Sequence, residues 1–310
     1  MFKLAKYHFF IALAFGLTAT SFASIFIKLT PTTPLVIAFW RMFLATIGTI
    51  ILAITTNQFK EISQLSFSQI RLMLLSGLFL ALHFATWIMS LFYTSIAESL
   101  VLVDSSPIIV LIIGFIFLKE RINKLQIAGI IISLVGGIII AFGSFQPISN
   151  EINPIFGNFL AFLGAITVAG YIIIGRIMRQ THNLSIFVYT AFVYAFSALF
   201  LFFIALIFET QELITSLTFN LKMEAYVYFI LLAVVSTLLG HSLYNYALKE
   251  IKAALVSIVT LGEPIIASIL AILILFEYPS TLTLIGGGIV ISGVVLTLIK
   301  EEDNNSIKSA

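Results

Sequence analysis

Long apolar stretches separated by short polar segments dominate this sequence. Ten of them are long enough to cross a bilayer, which takes about 20 predominantly apolar residues in a helix. These stretches run over residues 8–27, 35–55, 72–93, 98–118, 125–143, 156–175, 185–207, 225–247, 253–276 and 281–299. The pattern therefore predicts an all-α integral membrane protein with ten transmembrane helices and a polar cytoplasmic tail at residues 301–310.

Composition supports the same class of protein. Of the 310 residues, 60% are hydrophobic and only 10% are charged, which is more apolar surface than one soluble core can bury. Cysteine is absent, so the chain can form neither disulfides nor thiolate metal sites. The formal net charge of +2 gives no reason to expect nucleic acid. We expect no metal and no cofactor.

The chain repeats itself after 157 residues. The segment PIIVLIIGFIFLKE begins at Pro107, and PIIASILAILILFE, identical at six of fourteen positions, begins at Pro264. The same shift pairs Gly129 with Gly286 and Gly136 with Gly293, so we interpret it as an internal repeat.

The repeat divides the chain into two units of five helices. The first unit covers residues 1–148 and the second covers residues 149–300. Because five is an odd number, the second unit enters the membrane from the opposite side. The sequence thus predicts two inverted repeats, an architecture common among transporters.

Basic residues predict the orientation of the chain, since cytoplasmic loops retain an excess of Lys and Arg. With the N-terminus inside, thirteen of the sixteen basic residues fall on the cytoplasmic side. Lys28 and Lys222 remain outside, and Arg41 lies within the second span. We therefore expect both termini in the cytoplasm.

Three segments resemble a known family. They are PLVIAFWR (34–41), SSPIIVLIIGFIFLKERINKLQIAGIIISLVGG (105–137) and LGEPIIASILAILILFEYPSTLTLIGGGIVISGVVL (261–296). Their Pro, Glu and Gly spacing, present twice in a ten-span chain, is similar to the ten-helix EamA group of the drug/metabolite transporter superfamily. The resemblance implies secondary transport of a small organic solute, often export of an amino acid or another metabolite. It also implies a multi-pass protein of a bacterial or archaeal cytoplasmic membrane.

Polar and aromatic side chains within the spans are candidates for a substrate site, because burying them in lipid is costly. On the third span His83, Trp87 and Ser90 lie along one stripe at helical spacing. The 157-residue shift maps Trp87 onto Tyr244, and two aromatic residues facing one cavity suit a planar, apolar or cationic solute. Packing between helices, or an interhelical hydrogen bond from His83, is the alternative. We add Arg41, whose guanidinium can hold a carboxylate or phosphate, and Ser106.

Charged groups deep in the spans are candidates for coupling transport to a proton. They are Asp104, Glu263 and, more weakly, His241. Asp104 departs from the family pattern, and it suggests either proton coupling or recognition of a cation. A structural pair of Arg41 with Asp104 or Glu98 explains these charges equally well.

Other residues are predicted to have structural roles. Pro107 and Pro264 favour helix kinks beside a cavity, because each removes a backbone donor. Glu120 and Glu277 close the ends of their helices.

Two other functions remain as alternatives to a carrier. One is a channel or scramblase on the same fold. The other is an integral membrane lipid-handling enzyme, for which His-Glu-x-x-His and Gly-x-Ser-x-Gly motifs are missing. We therefore expect a non-enzyme whose partners are a small-molecule substrate and the bilayer, as a monomer or a homodimer.

Overall fold

The computed structural model describes residues 7–118, 123–143, 153–182, 184–247, 249, 256 and 259–299. All regular secondary structure within these residues is helical. The α-helices are α1 (Tyr7–Ser21), α2 (Ala23–Leu29), α3 (Pro34–Thr55), α4 (Phe67–Ser90), α5 (Ile96–Val103), α6 (Ser106–Leu118), α7 (Lys124–Gly143), α8 (Pro154–Arg176), α9 (Ile186–Phe208), α10 (Thr210–Leu217), α11 (Met223–Leu231), α12 (Ser242–Ala247), α13 (Glu263–Leu270) and α14 (Thr281–Ile299). A 3₁₀-helix covers Gln58–Gln64, and π-helical segments cover Ile177–Thr181, Leu232–His241 and Ala271–Leu275.

Among the described residues, seven helical segments are long and apolar enough to cross a membrane. They are Ile11–Leu29, Pro34–Thr55, Phe67–Ser90, Ile96–Ile113, Pro154–Arg179, Ile186–Phe208 and Met223–Ala247. Three shorter apolar helices, Lys124–Ile140, Glu263–Leu275 and Thr281–Leu296, lie in the remaining predicted stretches. The structure confirms an all-helical, membrane-spanning class of protein. The count of ten spans and the orientation stay predictions.

Two helices are interrupted at positions related by the 157-residue shift. Asp104 and Ser105 separate α5 from α6, and a turn at Leu261 and Gly262 precedes α13. Pro107 and Pro264 are the second residues of the helices that follow, where a missing N–H leaves no hydrogen bond unmade. The kinks predicted at the two prolines therefore take the form of helix interruptions just before them.

Helices α7 and α14 pack against each other almost backbone to backbone. A Cβ on Gly136 would lie 2.7 Å from the Gly286 carbonyl oxygen, and one on Gly293 would lie 2.6 Å from the Gly129 carbonyl oxygen. Between these points the Ser133 hydroxyl donates to the Val290 carbonyl over 3.1 Å. Residue numbers fall along α14 as they rise along α7, so the two helices run antiparallel.

These glycine contacts have two-fold symmetry. Gly129 corresponds to Gly286 and Gly136 to Gly293 in the repeat, so exchanging the two halves maps the α7–α14 contact onto itself. Such reciprocal contacts are characteristic of a two-fold axis. The axis here is internal, because both partners belong to one chain.

The other major contacts follow the same symmetry. Helix α4 packs on α8, while α1 packs on the π-helical segment Leu232–His241 and on α12. Adding 157 to the bounds of α4 gives 224–247, the region that contains this π-helical segment and α12. Helix α3 packs on its own counterpart α9. The core thus surrounds the pseudo-two-fold axis.

Candidate functional site

A small cavity of about 70 Å³ lies between α4, α5, α6, α8, α12 and α13. Ligand pockets usually measure about 300–1,000 Å³, so this cavity must widen to admit an organic solute. Its wall is formed by His83, Trp87, Leu100, Val103, Asp104, Ser106, Val168, Tyr171, Ile172, His241, Tyr244, Asn245, Val256, Thr260 and Glu263.

Most of the residues singled out from the sequence meet at this cavity. Those in its wall are His83, Trp87, Asp104, Ser106, His241, Tyr244 and Glu263. Trp87 and Tyr244 are repeat counterparts, and so are Phe84 and His241, whose ring centroids are 5.4 Å apart. The cavity therefore lies close to the pseudo-two-fold axis.

His83 belongs both to the helix packing and to the cavity wall. Its Nδ1 donates to the Gly164 carbonyl of α8 over 3.0 Å, the interhelical hydrogen bond left open as an alternative. Its ring is stacked with that of Trp87, at a centroid distance of 5.9 Å and an interplanar angle of 9°. The bond fixes the imidazole orientation, and Nε2 remains for other interactions.

Three buried polar atoms in the cavity wall have no hydrogen-bond partner within the described residues. They are Trp87 Nε1, Asp104 Oδ2 and Asn245 Oδ1. The Asn245 amide is oriented by its Nδ2, which donates to the His241 carbonyl over 2.8 Å and to the Tyr171 hydroxyl. Unsatisfied buried polar groups are rare in folded proteins, and here they indicate positions for ligand or water atoms.

Arg41 is fully buried but lies outside the cavity wall. Its Nε donates to the Thr237 hydroxyl over 2.8 Å, and its Cζ lies 4.2 Å from the Phe84 ring centroid. Both Nη atoms lack hydrogen-bond partners within the described residues. Glu263 contributes a favourable charge to the surroundings of Arg41, but no ion pair within 4.0 Å joins the two side chains. No ion pair joins Arg41 to Asp104 or Glu98 in the part of the chain that the structure describes.

Ser90 also lies outside the cavity wall. Its hydroxyl donates to the Trp87 carbonyl over 2.6 Å and lies 2.6 Å from the Ser99 hydroxyl. It thus joins α4 to α5, although it shares the helical stripe of His83 and Trp87.

A buried carboxylate network closes one end of the bundle. Glu98 Oε2 accepts from the Thr94 hydroxyl and from Asn158 Nδ2, each over 2.9 Å, and its Oε1 accepts from the Thr283 hydroxyl over 3.0 Å. These bonds tie α5 to α8 and α14.

Glu277 adds a second connection at this end. Its Oε1 accepts from the Ile96 amide over 2.6 Å at the start of α5, and its Oε2 lies 3.9 Å from Lys28 Nζ. Such a carboxylate stabilises a helix N-terminus, which fits the structural role predicted for Glu277. Its predicted counterpart Glu120 lies outside the described residues.

A helical fold with a polar, aromatic-lined cavity beside an internal two-fold axis is an arrangement common among membrane transporters. The chain belongs to the EamA-like transporter family, whose sequence profile matches residues 6–142 and 155–299. This confirms the family suggested by the proline, glutamate and glycine spacing.

Relatives that are also named as transporters align with much or nearly all of the chain. A protein of Archaeoglobus fulgidus named "Uncharacterized transporter" is 26% identical over 96% of this chain and 99% of its own length. "Uncharacterized transporter YetK" of Bacillus subtilis is 28% identical over 70% of this chain and 64% of its own. A solved structure described as "Crystal structure of protein" superposes with a TM-score of 0.62 at 14% identity, over 94% of this chain and 96% of that one. The protein is a multi-pass membrane transporter.

Proposed function

We propose that the protein is an alternating-access secondary transporter that exports or exchanges a small amphipathic metabolite, such as an amino acid, through the cavity around Trp87. The observation that carries this proposal is the position of the cavity at the pseudo-two-fold axis, with the repeat counterparts Trp87 and Tyr244 in its wall. In inverted-repeat transporters the substrate site lies between the halves, and one bundle rocks against the other. The aromatic wall binds the apolar part of the solute, and the orphan polar atoms bind its polar part.

In this proposal ten helices form two inverted repeats in a bacterial or archaeal cytoplasmic membrane, with both termini inside. The antiparallel packing of the counterparts α7 and α14 supports the inversion. With this orientation the network of Glu98 and Glu277 seals the outer end, and the wall residues Tyr171, Asn245 and Val256 lie toward the cytoplasm. The solute then enters from the cytoplasm and leaves after the outer network opens.

Orientation can be tested with single cysteines, because the natural chain contains none. Asn220 and Ser63 are exposed and lie in polar segments predicted to face opposite sides. A membrane-impermeant maleimide applied to right-side-out vesicles is expected to label Asn220→Cys and to leave Ser63→Cys unlabelled until the membrane is permeabilised. Labelling of Ser63→Cys alone in sealed vesicles would reverse the orientation.

A proton is the proposed coupling ion. Asp104 and Glu263 are carboxylates that interact electrostatically in one cavity, and His83 and His241 lie beside them. Carboxylates so placed can take up and release a proton as the cavity opens to each side. No resident cofactor is required by this cycle.

A channel or scramblase is a weaker proposal. Among the described residues the cavity is narrow and Glu98 is held by hydrogen bonds at the outer end, which favours a carrier over an open pore. An enzyme acting on lipids is weaker still, because no three His, Asp or Glu side chains of the described residues are arranged so that they could hold a metal ion. The cavity is built within one chain, so the site is the same in a monomer or a homodimer.

Transport through the cavity can be tested by comparing the two tryptophans. Trp40 lies elsewhere, stacked on Phe229 at a centroid distance of 5.6 Å and donating to the Ser216 hydroxyl over 3.0 Å. In proteoliposomes supplied with a panel of labelled amino acids and metabolites, Trp87→Ala is expected to lower the transport rate at least about tenfold, since a buried aromatic contact is worth about 1.4 kcal/mol or more. Trp40→Phe serves as the matched control and should transport normally. Normal transport by a folded Trp87→Ala protein would remove this cavity from the pathway.

A further inference from the structure

Two carboxyl groups line the cavity. They belong to Asp104 and Glu263, which the 157-residue repeat does not relate to each other. Arg41, which lies behind the wall, interacts with Glu263 and offsets one of these charges. Two imidazoles also line the described wall. His83 comes from α4, and His241 comes from the segment just before α12. A carboxyl of this wall, once ionised, attracts a cation in the cavity and repels an anion.

The orphan atoms of the wall are mainly acceptors. Asp104 Oδ2 and Asn245 Oδ1 have no donor within the described residues, and Asn245 is only 2% exposed. Its amide cannot turn to offer a donor, because Nδ2 is held by the His241 carbonyl. A ligand that satisfies both atoms must bring N–H or O–H donors, and an ammonium group has three.

Aromatic rings surround these acceptors. Trp87, Tyr171 and Tyr244 all belong to the wall, and an organic cation is attracted to the faces of such rings. A cation therefore gains hydrogen bonds, charge compensation and ring contacts in one small volume. A simple anion would face two carboxylates instead.

We infer that Asp104, Glu263 and Asn245 form an ammonium-binding subsite, and that the transported solute is an organic amine whose apolar body packs on Trp87 and Tyr244. This inference rests on the proposed function and narrows its substrate to amine-bearing solutes. The free Nε1 of Trp87 can also donate to a carboxylate, so a zwitterionic amino acid fits the subsite as well as a simple amine does.

The fluorescence of Trp87 can report ligand binding directly once Trp40 is replaced. The chain has two tryptophans, so Trp40→Phe leaves Trp87 as the only indole, and it stands in the cavity wall. The fluorescence emission of Trp87 is measured in the purified full-length protein as ligand is added. Excitation is at a wavelength that phenyl rings do not absorb. The ligands are two matched sets: phenethylamine, phenylalanine and 3-phenylpropionate, and isoamylamine, leucine and isocaproate.

We expect saturable changes in Trp87 emission with the amine-bearing members of at least one set and none with the matching acids. In the Trp40→Phe background, Asp104→Asn should weaken amine binding at least about tenfold, which corresponds to about 1.4 kcal/mol of binding free energy. Glu224→Gln, which removes a carboxylate at an exposed position, is the charge-matched control and should bind normally. The unliganded emission spectrum and the melting temperature establish that the Asp104→Asn protein is folded.

Three results would overturn the inference, and they separate it from the proposed function. Binding of the acids alone would leave the cavity as the substrate site but reject an ammonium subsite. Unchanged amine affinity in Asp104→Asn would reject this aspartate as the ligand. If amines are carried in proteoliposomes without any change in Trp87 emission, the cavity itself is the wrong site and the proposed function fails with it.

Discussion

Replacing Gly293 by alanine is expected to lower the stability of the purified transporter sharply, whereas the same change at Gly288 should leave it unaltered. A Cβ at position 293 would lie 2.3 Å from the Ser133 hydroxyl and 2.6 Å from the Gly129 carbonyl oxygen. The second atom belongs to the backbone of a packed helix, so relief requires α7 and α14 to move apart. Overpacking a tight contact costs about 1–3 kcal/mol, and we expect the upper end here.

Gly288 is a close control because it lies on the same helix. A Cβ there would meet no atom within 4 Å. Thermal unfolding in detergent, followed by size-exclusion chromatography, measures both variants beside the natural protein. Equal melting temperatures for Gly293→Ala and Gly288→Ala would show that α7 and α14 are not in close contact. The symmetric packing at the axis would then be wrong.

Glu263→Gln is expected to destabilise the protein by up to about 3 kcal/mol, and Arg41→Met in the same chain should restore most of this loss. Arg41 is fully buried, and the Glu263 charge compensates its guanidinium. Removing one partner of a buried pair leaves an uncompensated charge, which costs about 3–5 kcal/mol. We expect no more than the lower end, because no ion pair within 4.0 Å joins the two groups and Asp104 remains as a second carboxyl in the cavity wall. Met restores an apolar side chain of comparable length without a charge to bury.

The double variant separates this charge effect from a loss of packing. Its free energy of unfolding should exceed that of Glu263→Gln alone, although transport should remain low because Glu263 lines the cavity. Glu224→Gln again provides an exposed control. Destabilisation of the same size in the single and double variants would mean that Arg41 and Glu263 are not electrostatically coupled.

Much of the site could be predicted because it depends on periodicity and on the repeat. His83 and Trp87 are four residues apart, so one turn of helix places them on one face. The 157-residue shift then relates Trp87 to Tyr244 without any knowledge of the fold. Charged residues in the middle of apolar spans stand out for the same reason, which is how Asp104 and Glu263 were found.

Other features depend on tertiary contacts that helical spacing does not encode. Ser90 lies on the same helical stripe as Trp87. The chain after α4 places Ser99 next to Ser90, so the Ser90 hydroxyl forms a hydrogen bond between the helices. Arg41 is at a suitable depth, but Phe84 packs on its guanidinium and it stays behind the wall. Tyr171 and Asn245 were missed, since a tyrosine in a span is equally common at the membrane interface. An amide inside the eighth predicted span was the available signal for Asn245.

One π-helical segment changes the side-chain register within the eighth predicted span. His241 is the last residue of the segment Leu232–His241, where each turn holds more residues than an α-helix. The side-chain register therefore shifts along this stretch relative to a regular α-helix. Helical spacing still places His241 on a face similar to that of Tyr244, and both line the cavity. The approach of its ring to that of Phe84, at a centroid distance of 5.4 Å, is a tertiary contact that spacing does not encode.

The central claim is that this chain carries a solute by alternating access through one cavity, and counterflow tests it most directly. Proteoliposomes are loaded with an unlabelled amine-bearing solute and diluted into a trace of the same labelled solute, without an ion gradient. A carrier must exchange one molecule for another, so we predict transient, saturable accumulation of label that requires internal substrate and is lost in Asp104→Asn. Label that merely equilibrates, at a rate proportional to its concentration and unaffected by internal solute, would contradict alternating access and establish a channel.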